Sequence, residues 1–115
     1  MVRKANEGFS WHQRIVRASD YRSIYNDGQK LHSQSFVLFR RENNLGHHRL
    51  GITVSRKIGN AVVRNRIKRL FREIFRKSSA KIPHHFDFVL NAKRSCVAVS
   101  YTALQEEFLP AAGRS

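Results

Sequence analysis

Residues 50–73 read LGITVSRKIGNAVVRNRIKRLFRE, and this stretch contains the signals of a strand, a loop and a helix in succession. In its first part apolar and small residues alternate, which places Leu50 and Ile52 on one face of a strand. After a glycine-containing loop, apolar residues recur at helical spacing over residues 60–77. The stretch therefore predicts a strand that leads through a short loop into a long amphipathic helix.

The second face of the predicted strand carries only small side chains. Gly51, Thr53 and Ser55 alternate with the apolar residues, so all three point away from the apolar face. A face of small residues leaves room for another segment or a ligand to lie close to the backbone. The sequence therefore predicts a close contact on this side of the strand.

The helix predicted over residues 60–77 is the most basic part of the chain. Asn60 is placed to cap its N-terminus, and cations collect on the side opposite the apolar stripe, with Arg64 and Arg66 on the two flanks. A single acid, Glu73, offsets them, so without a partner they would repel each other. Guanidinium groups pair with phosphate in a bidentate manner, so this series favours nucleic-acid binding. The cations are Arg64, Arg66, Lys68, Arg69, Arg72, Arg76 and Lys77.

The whole chain shows the same imbalance of charge. Its 115 residues include 22 Lys and Arg against 8 Asp and Glu, which gives a formal net charge of +14. Residues 49–77 carry most of this excess. A small protein with such a charge repels itself unless a polyanion neutralises it. Nucleic acid is therefore the first partner to expect, and an anionic membrane surface the second.

Length and composition restrict the class of protein further. A chain of 115 residues that is 41% hydrophobic supports one domain, over residues 1–115. We expect flexible ends at residues 1–13 and 110–115. No run reaches the roughly 18 apolar residues of a membrane span, and the N-terminus lacks a signal-peptide stretch. Because the single cysteine, Cys96, has no partner for a disulfide or a thiolate zinc site, we expect a cytoplasmic protein.

Local signals predict the elements on either side of the basic helix. We expect a helix over residues 19–28, capped by Ser19 and closed by Gly28, and strands over residues 34–41 and 86–93. A closing helix begins after a Ser100 cap and ends before Pro110, with a buried stripe of Tyr101, Leu104 and Phe108. With one short extra strand near the N-terminus, this order predicts an α/β or α+β sandwich.

The acidic residues argue against a self-sufficient metal nuclease. Such an enzyme needs several carboxylates that converge on Mg²⁺. The eight acids are scattered along the chain without a spaced constellation, and the pairs His47-His48 and His84-His85 are weak metal-ligand patterns. We therefore expect an RNA-binding partner rather than a catalyst, and no metal site is assigned. The acids are Glu7, Asp20, Asp27, Glu42, Glu73, Asp87, Glu106 and Glu107.

The segment from residue 59 to residue 73, with its Arg64-Asn65-Arg66 centre, resembles the signature of the bacterial ribonuclease P protein subunit. The upstream residues 50–58 and the early residues 20–28 match the same family. A strand over residues 87–90 and the closing helix complete the resemblance, which covers roughly residues 14–109.

This resemblance implies a single-domain α+β sandwich. The sheet would have four strands, packed with three helices, and would contain a left-handed β–α–β crossover, an exception to the usual right-handed rule. It also implies an accessory role in ribonuclease P, an endonuclease that removes the 5′ leader from precursor tRNA. The catalytic RNA would perform the reaction with Mg²⁺ that it holds mainly itself, while the protein would help to hold substrate and metal.

The resemblance further implies two partners and two surfaces. The partners would be the catalytic RNA and precursor tRNA with its leader, with no membrane and no obligate protein partner. Aromatic rings offer stacking platforms to unpaired bases, although the same rings would also fit ordinary core packing. Contacts to the RNA subunit would come from Arg64, Asn65, Arg66, Lys68, Arg69 and Arg72. The leader cleft would be formed by Tyr21, Tyr25 and Phe39, with Ser55 and Lys57 near its edge.

Some features depart from the family pattern, and other classes stay open. Asn91 occupies a strand position that is usually apolar in the family, and Tyr21 and Tyr25 stand where the family often has Phe. A ribosomal protein or general RNA chaperone would carry a similar basic helix without any leader-dependent effect. A DNA-binding module would lay that helix in a major groove. Competition between RNA and DNA, together with leader dependence, separates these classes.

Overall fold

The structure, a computed structural model, describes residues 13–113. Of the flexible ends expected at residues 1–13 and 110–115, residues 1–12 and 114–115 lie outside the described part, whereas Ala111 and Ala112 are buried in it. The described part contains helices and strands in a fixed order, joined by loops and two short 3₁₀ turns. The order is α1 (Ala18–Asp27), β1 (Gln29–His32), β2 (Phe36–Glu42), β3 (Arg49–Thr53), α2 (Ala61–Ser78), β4 (Phe86–Ala92) and α3 (Tyr101–Ala112).

The four strands form one mixed sheet in the order β1-β2-β4-β3. The β1–β2 and β2–β4 pairs are antiparallel, whereas β3 and β4 are parallel neighbours joined through α2. The α+β architecture is thus confirmed. The fourth strand, β1, follows α1, whereas the sequence predicts the short extra strand near the N-terminus; before α1 the described residues form only an isolated bridge between Arg14 and Leu50. The left-handed sense of the β3–α2–β4 crossover stays a prediction.

The sheet separates a large apolar cluster from a small one. On the first face, side chains of β2 and β4 pack against α2 and α3 in a fully buried core. On the second face, Ile24 of α1 packs with Ile15 and Val89, and Tyr21 and Phe39 lie against them. Because alternate residues of a strand face opposite sides, β2 and β4 contribute to both clusters. The buried aromatic residues of the large cluster are Phe36, Phe71, Phe75, Phe88 and Phe108.

Helix α2 forms where its periodicity predicts it. The Asn60 side chain accepts a hydrogen bond from the Val63 N–H at 3.0 Å, which confirms Asn60 as the N-cap. Ile67, Phe71 and Ile74 lie buried along one stripe. Arg76 and Lys77 occupy the last turn, where the helix dipole favours cations. The basic side of α2 is therefore held in place by an apolar stripe on its reverse.

The predicted start of α1 is wrong. The helix begins at Ala18 after Arg17, which makes no side-chain cap, so Ser19 lies inside the first turn. The predicted closing residue is confirmed, because the Gly28 N–H donates to the Ile24 carbonyl at 2.8 Å. Strand β1 then begins at the next residue.

The predicted end of α3 is also wrong, although its start is confirmed. The Ser100 hydroxyl accepts from the Ala103 N–H at 3.2 Å, as an N-cap does. The helix continues through Pro110 to Ala112. Tertiary contacts overcome the proline, because Ala112 is fully buried and its carbonyl accepts from the Arg40 guanidinium at 2.8 Å. Within residues 13–113, no helix has the length and apolar character that crossing a bilayer requires.

Candidate nucleic-acid interface

The basic side of α2 divides into an exposed ridge and two flanks. Asn65, Arg66 and Arg69 are exposed to solvent along the ridge. Arg64 is only half-exposed, and its Nε atom donates to the Gly59 carbonyl at 3.1 Å, which ties it to the loop before the helix. The residues expected to bind the RNA subunit therefore do not form one uniform surface.

The flank of α2 toward β3 carries Lys68 and Arg72. Both side chains line a cavity of about 220 Å³ that Tyr21 also borders. Burial lowers the pKa of Arg72, and the guanidinium groups of Arg14 and Arg69 lower it further. The crowding of like charges makes this flank a favourable place for an anion.

Tyr21 lies wedged between this flank and the sheet. Its hydroxyl donates to the Ile15 carbonyl at 3.2 Å, and a Cβ added at Gly51 would lie only 2.5 Å from the hydroxyl oxygen. Burial raises the pKa of Tyr21, and the neighbouring Tyr25 adds to this effect. The small-residue face of β3 is thus filled at Gly51 by Tyr21 of the same chain, so Tyr21 is first of all a packing residue.

Tyr25 and Phe39 form the more open part of the aromatic cleft. Their ring centroids lie 4.8 Å apart in an edge-to-face arrangement, and Tyr25 is exposed. The Tyr25 hydroxyl donates to Oδ1 of Asn91 at 3.1 Å. The Lys30 ammonium stands 5.8 Å from the centre of the Phe39 ring. This cleft therefore combines an accessible aromatic ring with a cation and an amide.

A row of side chains continues the cleft across the sheet. Asn91 faces α1, and its register partners Val37 and Thr53 lie beside it on β2 and β3. His32 pairs with Val37 and extends the row to β1. Four neighbouring strands span about 14 Å, which is enough for two or three nucleotides of an extended strand to lie across them. Asn91 and Thr53 are far apart in the sequence, and only the strand register shows that they lie side by side.

Ser55 and Lys57 lie in the loop that follows β3, next along the chain from this row. Both side chains are exposed. The loop is fixed at two points: the Ile58 N–H donates to the Ser55 carbonyl at 3.1 Å, and Arg94 donates to the Lys57 carbonyl at 2.8 Å. The polar atoms of both side chains therefore remain available at the end of the cleft.

An ion-pair network fixes α1 to the sheet. Asp87 on β4 is buried, and Arg49 donates to its two carboxylate oxygens at 2.8 and 2.9 Å. Burial alone would raise the pKa of Asp87, but the hydrogen bonds from Arg49 and Asn43 hold it below its usual value. Arg49 also lies 3.7 Å from Asp20 on α1, and Arg41 lies 3.2 Å from Asp87. The helix that carries Tyr21 and Tyr25 is thus anchored through this network.

Other carboxylates are engaged in the same way. Glu73 pairs with Arg76 at 2.6 Å and with Lys77 at 3.6 Å. Glu107 accepts from the Ser33 and Ser35 hydroxyls at 2.5 and 2.6 Å, which joins α3 to the β1–β2 turn. In the part of the chain that the structure describes, no three His, Cys, Asp or Glu residues are grouped so that they could hold a metal ion.

His48, from one of the histidine pairs, and the cysteine are both buried within the fold. His48 is buried; its Nδ1 accepts from the Phe86 N–H at 3.1 Å, and its Nε2 lies 3.2 Å from the Ser79 carbonyl. These contacts favour the neutral tautomer with hydrogen on Nε2, and burial lowers the pKa of His48. Cys96 is buried, and burial raises the pKa of its thiol. Such a thiol is a poor nucleophile.

An exposed ridge of cations and an aromatic cleft on a small α+β sandwich define a class of protein, a nucleic-acid-binding domain suited to unpaired strands. Comparison with known proteins narrows this class. The family described as Ribonuclease P matches residues 9–114 of the chain. The Ribonuclease P protein component of Streptococcus pneumoniae (strain Hungary19A-6) is 33% identical over 96 residues, covering 84% of this chain and 78% of the relative.

Solved structures agree with this match. The RNase P protein from Thermotoga maritima superposes with a TM-score of 0.81 at 34% identity, covering 89% of this chain and 96% of that one. The Staphylococcus aureus RNase P protein gives a TM-score of 0.78 at 33% identity, with 86% and 91% covered. The chain belongs to the ribonuclease P protein family. The alternative of a ribosomal protein or general RNA chaperone is not favoured.

Proposed function

We propose that the chain acts with the ribonuclease P RNA in tRNA processing as an RNA-binding accessory subunit. The exposed ridge of α2 binds the RNA subunit, mainly through Asn65, Arg66 and Arg69. The cleft at Tyr25 and Phe39 binds the single-stranded 5′ leader of precursor tRNA. The names and the family of the relatives support the first statement, and the geometry of the two surfaces supports the others.

One observation carries the assignment of the leader to the cleft. The Tyr25 and Phe39 rings lie beside the row formed by Val37, Asn91 and Thr53, and the Tyr25 hydroxyl donates directly to Asn91 of that row. A single strand on this row would meet a ring for stacking, amide and hydroxyl groups for hydrogen bonds, and the Lys30 ammonium for a phosphate. A nucleic-acid duplex is too wide to make the same contacts beside α1.

The engaged carboxylates support a division of labour in which the RNA catalyses. Asp87, Glu73 and Glu107 are committed to cations or hydroxyl groups of the chain, so these residues do not fit a Mg²⁺ site of the protein's own. We propose that the RNA holds the Mg²⁺ of the holoenzyme. The protein then contributes by holding substrate and RNA in a fixed relative position.

The test is cleavage of precursor tRNA at low Mg²⁺ by a bacterial ribonuclease P RNA, with and without the protein. We expect stimulation that is larger for a leader of several nucleotides than for a minimal leader. Phe39→Leu keeps an apolar side chain but removes the ring, and it should weaken the affinity of the holoenzyme for leader-bearing substrate about tenfold. Leu45→Ala, in the exposed β2–β3 loop, is the matched control and should have no effect.

Two results would contradict the proposal. Tight RNA binding without any stimulation of cleavage would place the protein among general RNA-binding proteins. If Phe39→Leu lowers the affinity equally for substrates with long and minimal leaders, the leader does not bind in the cleft. Circular dichroism of the variant shows whether a loss reflects unfolding, in which case Phe39 belongs to the core.

A further inference from the structure

The flank of α2 toward α3 carries a second groove, on the other side of the ridge from Lys68 and Arg72. Its volume is about 430 Å³, within the range of about 300–1,000 Å³ that ligand pockets occupy. It extends from residue 66 to residue 77, or about 16 Å along the helix axis. The groove is lined by Arg66, Arg69, Leu70, Glu73, Lys77 and Tyr101.

The floor of the groove is apolar and aromatic. Tyr101 is the first residue of α3, and its ring is half-buried beside Leu70. The Lys77 ammonium lies 5.7 Å from the centre of the ring. Because Tyr101 lines the groove and the Lys77 side chain is exposed, the ammonium can move aside and leave the ring to a planar group. The groove therefore offers a platform on which a base can stack.

The rim of the groove is positively charged. The Glu73 carboxylate is already paired with Arg76 and Lys77. Within residues 13–113, Arg66 and Arg69 make no ion pair with a carboxylate and are exposed. A ligand that matches this groove carries negative charge at its edge and a planar apolar surface at its centre. An unpaired nucleotide in an RNA chain combines both properties, whereas an acidic peptide or a lipid headgroup lacks the planar surface.

We propose that this groove binds one or two unpaired nucleotides of the ribonuclease P RNA. A base lies against Tyr101 and Leu70, and the adjoining phosphates contact Arg66 and Arg69. The inference rests on the proposed function, because it takes the RNA subunit as the partner. It extends the RNA contact from α2 to α3 and adds an aromatic contact to the electrostatic ones.

The test is nucleotide-resolution chemical footprinting of the RNA in complex with the full chain. Tyr101→Leu keeps an apolar side chain but removes the ring. We expect one or two adjacent unpaired nucleotides to lose protection while the rest of the footprint persists, and the affinity for the RNA to fall about tenfold. Tyr101→Phe is the rescue variant, since it restores the ring and removes only a hydroxyl that has no hydrogen-bond partner within the described residues. It should restore the protection.

The possible outcomes distinguish failure of this inference from failure of the proposed function. If the wild-type protein gives no footprint and no stimulation of cleavage, the proposed function fails. If the wild-type footprint is present and folded Tyr101→Leu leaves both footprint and affinity unchanged, RNA does not occupy the groove and the inference is overturned. Should Tyr101→Leu not fold, Leu70→Gln, at a half-buried position of α2 in the same groove, tests the same contact, with the same local loss expected.

Discussion

Adding one methyl group at Gly51 should disturb both the fold and the cleft. A Cβ at this position would lie 2.5 Å from the Tyr21 hydroxyl oxygen and 2.7 Å from Cζ, far inside van der Waals contact. The ring cannot yield freely, because its hydroxyl is bonded to the Ile15 carbonyl and its face packs in the small cluster. Overpacking of this kind costs about 1–3 kcal/mol. The lower chain entropy of alanine in the unfolded state returns about 0.4–1 kcal/mol.

A double-mutant cycle isolates the contact. Tyr21→Leu removes the hydroxyl, Cζ and Cε1, the three atoms nearest to the added Cβ. In the wild-type background we expect Gly51→Ala to lower the free energy of unfolding by about 1–2 kcal/mol. In the Tyr21→Leu background the clash is absent, so the same change should be neutral or stabilising by about 0.5 kcal/mol. Urea unfolding of the four proteins gives the coupling energy directly.

The refuting result is a Gly51→Ala cost that is the same in both backgrounds. Tyr21 would then not be held against β3, and its ring would be a free platform like that of Tyr25. The cycle thus decides between packing and base stacking as the role of Tyr21. Leader affinity measured on the same variants shows whether displacement of Tyr21 also reaches the cleft.

Three further predictions concern pH, a turn and salt. Burial lowers the pKa of His48 from its ordinary value of 6.5, so the unfolded state takes up a proton first on acidification. The free energy of unfolding should be highest above about pH 6.5 and fall as the pH drops below this value. Urea unfolding at several pH values should find no such fall in His48→Gln. Glu107→Gln weakens the bonds to Ser33 and Ser35 and should lower the free energy of unfolding by about 1–2 kcal/mol, whereas an unchanged thermal midpoint would contradict this. Arg69→Ala should reduce the slope of log affinity for RNA against log salt by about 1, and an unchanged slope in filter binding would exclude a phosphate contact.

Local sequence signals predicted the elements correctly where they agreed with tertiary packing. Asn60 and Ser100 are N-caps in the structure because a cap depends on a few neighbouring backbone N–H groups. The stripe of α2 and the alternation in β2 and β3 also depend only on spacing along the chain. These features gave the order of the elements, the basic side of α2 and the candidate residues on it.

Distant contacts explain where the local signals failed. Pro110 predicts a helix end, but α3 continues because its last carbonyl meets Arg40, a residue of β2, and its last turn is buried. Gly51 predicts free space, but Tyr21 from α1 fills it. In both places the deciding partner is more than 25 residues away in sequence. Periodicity and capping carry no information about such partners.

The same limit applies to the candidate site. Spacing along the helix predicts Lys68, Arg69 and Arg72 opposite the apolar stripe and other cations on its flanks, but it does not show which elements meet those flanks. The structure distributes the cations over a ridge and two flanks, since β3 meets the helix on one flank and α3 on the other. Asn91 looked like an irregular strand residue, yet it accepts from Tyr25 and lies in the cleft row. Polar residues at such positions are explained by neighbours across the sheet.

The position of Tyr21 links the two proposed surfaces mechanically. Its helix is anchored to the sheet through Asp20, Arg49 and Asp87, and its ring borders the cavity that Lys68 and Arg72 of α2 also line. These contacts resist relative movement of the cleft and the ridge. A subunit that holds a leader while bound to a catalytic RNA needs this rigidity, because small misplacements of a substrate cost much of the rate. Under the proposed function, the ion-pair network beneath α1 would contribute by positioning the helix that carries Tyr21 and Tyr25.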